Sequence, residues 1–112
     1  MKNAVVLVPF PFDDFSAAKV RPALCLTGEI GQFRHVIIAF ISSQLPADPY
    51  ESDLVILKHS VEWEGTGLAV DSVIRLHRVV TIPGNLIKRK LGAISPSVAN
   101  QIRERFFKLL NG

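Results

Sequence analysis

The chain has 112 residues, 48% apolar and 21% charged, with a formal net charge of +3 and a pI near 9.4. That length suits one domain spanning 1–112, with room for a real core and none for a second domain, and the composition excludes a disordered chain. No apolar run approaches the ~20 residues of a membrane helix, Met1-Lys2-Asn3 runs into a strand-like segment with no signal-peptide cleavage pattern, and the lone Cys25 excludes an internal disulfide, so a reducing cytoplasm is the expected compartment.

Val5 to Phe10 is the first predicted strand, Val-rich and closed by Pro9 and Pro11, prolines that push a strand toward an edge or a bend. An acidic loop follows, and the chain re-enters an apolar run through Lys19-Val20-Arg21-Pro22. Packing alone gives no reason for a charge set before a proline at a strand entrance. An arginine there can present a fixed cation to a cleft. Ala23 to Thr27 reads as the second strand, ended by Gly28 and Gly31. Phe33 to Ser42 is the longest apolar run and reads as a central strand buried on both faces. Gln44 to Asp53, with two prolines and three acids, reads as a loop. Leu54 to Leu57 is a short strand, and Gly65-Thr66-Gly67 a turn.

Ser72 to Ile82 alternates in its first half, with Val73, Arg75 and His77 on one face and Ser72, Ile74 and Leu76 on the other, as in a strand with one wet side. Lys88-Arg89-Lys90 reads as a solvated turn. At Ser95-Pro96 the period changes: a serine N-cap and a proline at the first helical position start a helix. Val98, Ile102, Phe106 and Leu109 form its apolar stripe, with Arg103, Glu104 and Lys108 toward water. The expected fold is mainly β, a small strongly bent sheet or SH3-like barrel with a C-terminal α-helix. Basic residues gather in the last third, at Arg75, Arg78, Lys88–Lys90, Arg103 and Arg105. The three histidines and one cysteine are too scattered for a zinc site, so no metal or cofactor is expected.

The segment VLVPFPFDDFSAAKVRPALCL is similar to the start of the MazF/PemK-like toxins of bacterial toxin–antitoxin modules. IIAFISSQ, GLAVDSVIRLHRVVTI and KLGAIS before the helix extend the resemblance over essentially the whole chain, in order. It implies a bent SH3-like sheet with helices packed on it, usually a homodimer. It implies metal-independent, sequence-specific cleavage of single-stranded RNA that halts translation and growth, and an antitoxin whose flexible acidic tail covers the RNA groove. The family's catalytic arginine before proline falls on Arg21, and its hydroxyl residue at the end of the third strand on Ser42. Some members use an arginine and an acid two residues apart on a late strand; the arginine matches Arg75, and the acid position holds His77. Others place a glutamate where Ser16 stands.

Those residue types suit the chemistry. Attack by a 2′-OH builds negative charge on phosphate oxygens, which a guanidinium's planar fork can bind. Arg21 is the candidate, helped by the Ser42 hydroxyl. Arginine does not deprotonate in proteins, so the proton needs another carrier. His77 is the candidate, because imidazole changes charge near neutral pH, with Asp14 or water as fallback. Lys19, Arg75 and Arg78 are the candidate backbone cations, and Phe15 and Trp63 the candidate base platforms, Trp63 having the competing reading of a core or partner-contact residue. Loss of the family's acids leaves a second function open, a non-catalytic module of the same fold that binds nucleic acid or protein. A toxin directed at a protein target is the third.

Overall fold

Residues 1–9 and 19–112 are described by the structure, a computed structural model. Six strands appear in chain order: β1 (Ala4–Pro9), β2 (Val20–Cys25), β3 (His35–Ser42), β4 (Asp53–Ile56), β5 (Ser72–Pro83) and β6 (Arg89–Ala93). A single 3₁₀ turn at Gly84–Leu86 precedes β6, and α1 (Pro96–Asn111) closes the described chain. All neighbours pair antiparallel, in the order β4-β5-β3-β2-β1-β6. The sheet is strongly curled, a half-barrel with one C-terminal helix. Among the described residues no helix is long and apolar enough to cross a membrane.

Period-two alternation sorts the apolar residues into two cores. Val5, Leu24, Ala39, Ile41, Ile74 and Leu76 join Val98, Ala99 and Ile102 of α1. Their strand neighbours Val6, Val8, Ala23, Cys25, Val36, Ile38 and Phe40 form a second cluster. The third strand is thus buried on both faces, as its sequence predicts. β1 is not an edge, despite Pro9: it lies between β2 and β6, and Pro9 ends it against Val20. The predicted end at Phe10 lies outside the described residues, as do Phe15, Asp14 and Ser16.

Helix α1 starts where predicted. Val98 N donates to the Ser95 side chain at 3.2 Å, with Pro96 in the first turn. Val98 and Ile102 are buried and Phe106 packs on the first core, but Leu109 is exposed.

The loop between β4 and β5 crosses to the sheet's far edge, where Ala93 N donates to Gly65 O at 2.9 Å. Two glycines permit this approach. A Cβ on Gly67 would collide with the Leu91 backbone, and one on Gly92 with the Gly65 carbonyl and Thr66. Gly92→Ala should therefore lower stability by about 1–3 kcal/mol, the range for overpacking a tight contact. Urea unfolding checks this, and an unchanged midpoint would show that the loop is not held there.

Candidate active site

The cleft originates in a defect of the β2–β3 ladder. Leu7 accepts from Lys88 N at 2.8 Å, so its backbone polar groups face β6 and its pairing with Pro22 is of the non-hydrogen-bonded kind. Pro22 therefore turns its nitrogen toward β3 and has no hydrogen to give. The ladder stops at Ala23↔Phe40. Continued by two residues, that register would set Arg21 opposite Ser42. Instead the strands part there, and Arg21, Pro22 and Ser42 line a cleft of about 680 Å³. The arginine–proline pair noticed in the sequence thus stands where the ladder ends and adds a cation to the cleft lining.

Four arginines line it: Arg21, Arg75, Arg78 and Arg89. Ser42, Ser43, Gln44 and Ser72 add polar groups, and Gly67 to Val70 of the crossing loop form the opposite wall. The described lining contains no aspartate, glutamate, histidine or lysine. Four guanidiniums lining one cleft favour an anion there. The Ser42 hydroxyl oxygen accepts from Gln44 N at 3.1 Å. That bond occupies a lone pair, so the hydroxyl hydrogen can still point to an anion.

Arg75 is fixed by an acid that sequence reading assigned to a loop. Asp53 is the first residue of β4 and the cross-strand partner of Arg75. Its carboxylate is fully buried and takes two bonds from that guanidinium, Nε to Oδ1 at 3.1 Å and Nη2 to Oδ2 at 3.0 Å. Arg105 of α1 braces the start of β4, donating to the carbonyls of Glu51 (2.8 Å) and Asp53 (3.0 Å). Between Ala39↔Val79 and Phe40↔Arg75 the β3–β5 register shifts, leaving Leu76, His77 and Arg78 as extra residues in β5. Such bulges re-aim side chains and favour active sites. Here Arg75, just before the irregularity, and Arg78, its last residue, both line the cleft, and the Arg78 guanidinium stands 5.7 Å from the Phe40 ring centroid.

Arg21, Ser42, Arg75 and Arg78 are therefore gathered in one cleft. Lys19 is exposed and outside its lining, and Phe15 lies outside the described residues. His77 is also outside the lining; its Nδ1 is 3.8 Å from Asp53 Oδ1, beyond hydrogen-bond range, and its ring meets Tyr50 edge-on. Trp63 is turned inward: it packs on the first core, and its Nε1 donates to Leu68 O at 2.7 Å, bracing the cleft wall. Arg89 was read as part of a solvated turn but belongs to β6, pairs with Leu7 and lines the cleft. Edge strands carry such charges without alternation, which hides the strand in a single sequence.

The curled sheet agrees with the fold that the resemblance implies. The sequence matches the model of the PemK-like, MazF-like toxins of type II toxin–antitoxin systems over residues 2–110. The chain belongs to that family. Comparison with curated protein sequences gave no match. Among solved structures it is similar to the Mycobacterium tuberculosis toxin MazF-mt6, at 19% identity and a TM-score of 0.72 over 96% of both chains. It is similar to an endoribonuclease in complex with its cognate antitoxin from Mycobacterial species, at 13% identity and a TM-score of 0.68 over 99% of this chain and 94% of that one. A MazE–MazF structure from Deinococcus radiodurans gives 16% identity and 0.68, over 97% and 92%. At these identities the likeness is one of fold.

Proposed function

We propose that this toxin is a metal-independent, sequence-specific endoribonuclease that cuts single-stranded RNA in the cytoplasm and so arrests translation and growth. The observation that carries the reading is the described lining, with four arginines and the Ser42 hydroxyl beside the arginine–proline break. The RNA supplies the nucleophile. Its 2′-oxygen bonds to phosphorus, the 2′-OH proton passes to a base, the P–O5′ bond breaks, and O5′ takes up a proton. The products carry a 2′,3′-cyclic phosphate and a 5′-hydroxyl. Arg21 holds the non-bridging oxygens as their charge grows, Ser42 donates to one of them, and Arg75 and Arg78 hold the strand, with Lys19 and Phe15 as outer contacts. His77, outside the described lining and near the Asp53–Arg75 pair, is the candidate proton carrier in this scheme.

In the same reading the protein is a homodimer, and a small antitoxin lays an acidic flexible tail over the cleft, competing with RNA for the arginines. Relatives crystallised with antitoxins support that partner.

The test is incubation of long single-stranded RNA with the purified protein in EDTA. Cleavage leaving 5′-hydroxyl ends is expected, and His77→Gln should slow it without weakening RNA affinity. Equal rates for His77→Gln would remove the histidine from the scheme. A second reading has an observation in its favour: the described lining holds no group that titrates near neutrality. Salt-sensitive RNA binding with no cleavage would mean that the fold serves as a binding module.

A further inference from the structure

We infer that Tyr50, with Arg75 beside it, is a stacking subsite for one unpaired nucleobase next to the cleft. This rests on the cleft taking a single-stranded polyanion, as proposed above, and adds where one base is held. Tyr50 precedes β4 and is 60% exposed.

It is nevertheless fixed in place. Tyr50 N donates to Asp53 Oδ2 at 2.9 Å, and Asp53 N donates back to Tyr50 O at 3.0 Å. The same buried carboxylate grips Arg75, whose guanidinium carbon stands over the tyrosine ring, 5.3 Å from its centroid. The His77 ring meets Tyr50 at 5.2 Å and 76°. The ring is thus set by a cation and an imidazole, and most of its surface still meets solvent. Phe40, beneath Arg78, is buried, and Trp63 is turned inward. Phe33 and Phe107 are exposed and, like Tyr50 itself, outside the cleft lining, but neither has a cleft arginine over its ring, as Tyr50 has. Tyr50 is therefore the exposed aromatic of the described residues that touches a cleft arginine.

An aromatic face beside a cation is the general device for holding a single strand without reading its sequence. Arg75 belongs to both parts, lining the cleft and covering Tyr50. The separation of guanidinium and ring is comparable with that between a nucleotide's phosphate and its own base. One nucleotide can therefore place its phosphate on Arg75 and its base on the open part of Tyr50.

The probe is single-stranded 2′-O-methyl RNA of mixed sequence, which lacks the nucleophile and binds without being cut. Tyr50→Ala should weaken its Kd about tenfold, as should Tyr50→Leu, while Tyr50→Phe and Tyr50→Trp should stay within about twofold of the parent. In a series of probes with one abasic position each, the parent should show a penalty at one position, and Tyr50→Ala should erase it. A merely structural role would leave that penalty in place. Thermal melting checks that the variants fold. If Tyr50→Ala and Tyr50→Leu bind as tightly as a parent that binds and cuts RNA, the subsite fails and the nuclease reading stands. If the parent binds RNA without cutting it and Tyr50→Ala weakens binding, the subsite stands and the nuclease reading fails. If the parent binds no RNA, both fail.

Discussion

Arg21→Ala is expected to slow RNA cleavage about 10²- to 10³-fold, the range for losing one preorganised donor to a developing oxyanion. Arg21 stands half-buried where the β2–β3 ladder ends, and the cation lines the cleft with Ser42. Its backbone still pairs with Val8 of β1, which truncating the side chain leaves intact. The melting temperature should therefore change little while the rate collapses. Arg21→Lys keeps the charge but loses the planar fork, and should recover only part of the rate. Single-turnover cleavage of one RNA by the three proteins is the measurement. Equal rates for parent and alanine variant would remove Arg21 from the chemistry.

Asp53→Ala is expected to damage both fold and site. The carboxylate is fully buried, takes two bonds from Arg75 and accepts from Tyr50 N. Removing it strands the guanidinium and a backbone donor. Breaking a fully buried pair costs about 3–5 kcal/mol. Arg75 keeps 21% of its side chain exposed, so water can offset part of that, and a loss of about 2–3 kcal/mol is expected. Cleavage should fall as well, because Arg75 loses the partner that aims it. Urea unfolding of the two single variants and of Asp53→Ala with Arg75→Met separates these effects. The double variant should lose less stability than the sum of the singles, since no stranded charge remains. Strict additivity would contradict the pairing.

The strands with strong period-two or continuous apolar patterns were legible in the sequence, and so was the helix start at Ser95-Pro96. Pattern reports burial, and these elements are buried along much of their length. β6 was not legible: Arg89 and Lys90 are exposed at a sheet edge, and only pairing with β1 makes them a strand. Asp53 was placed in a loop because prolines and acids precede it; its role appears once β4 sets it opposite Arg75. Arg21 stood out as a charge before a proline and Ser42 came from the family resemblance, and their meeting depends on a ladder ending that Pro22 encodes but composition does not reveal. Trp63 offered two readings in the sequence, core residue and base platform, and the fold gives the core one: it packs on the first core and braces the cleft wall.

Arg21 in the arginine-lined cleft is the residue on which RNA cleavage is proposed to depend. Mapping RNA 5′ ends after induced expression tests it most directly. The parent should create new 5′-hydroxyl ends at one short recurring sequence in single-stranded regions, and Arg21→Ala should create none. Growth arrest with intact cellular RNA, or the same ends from the alanine variant, would contradict it.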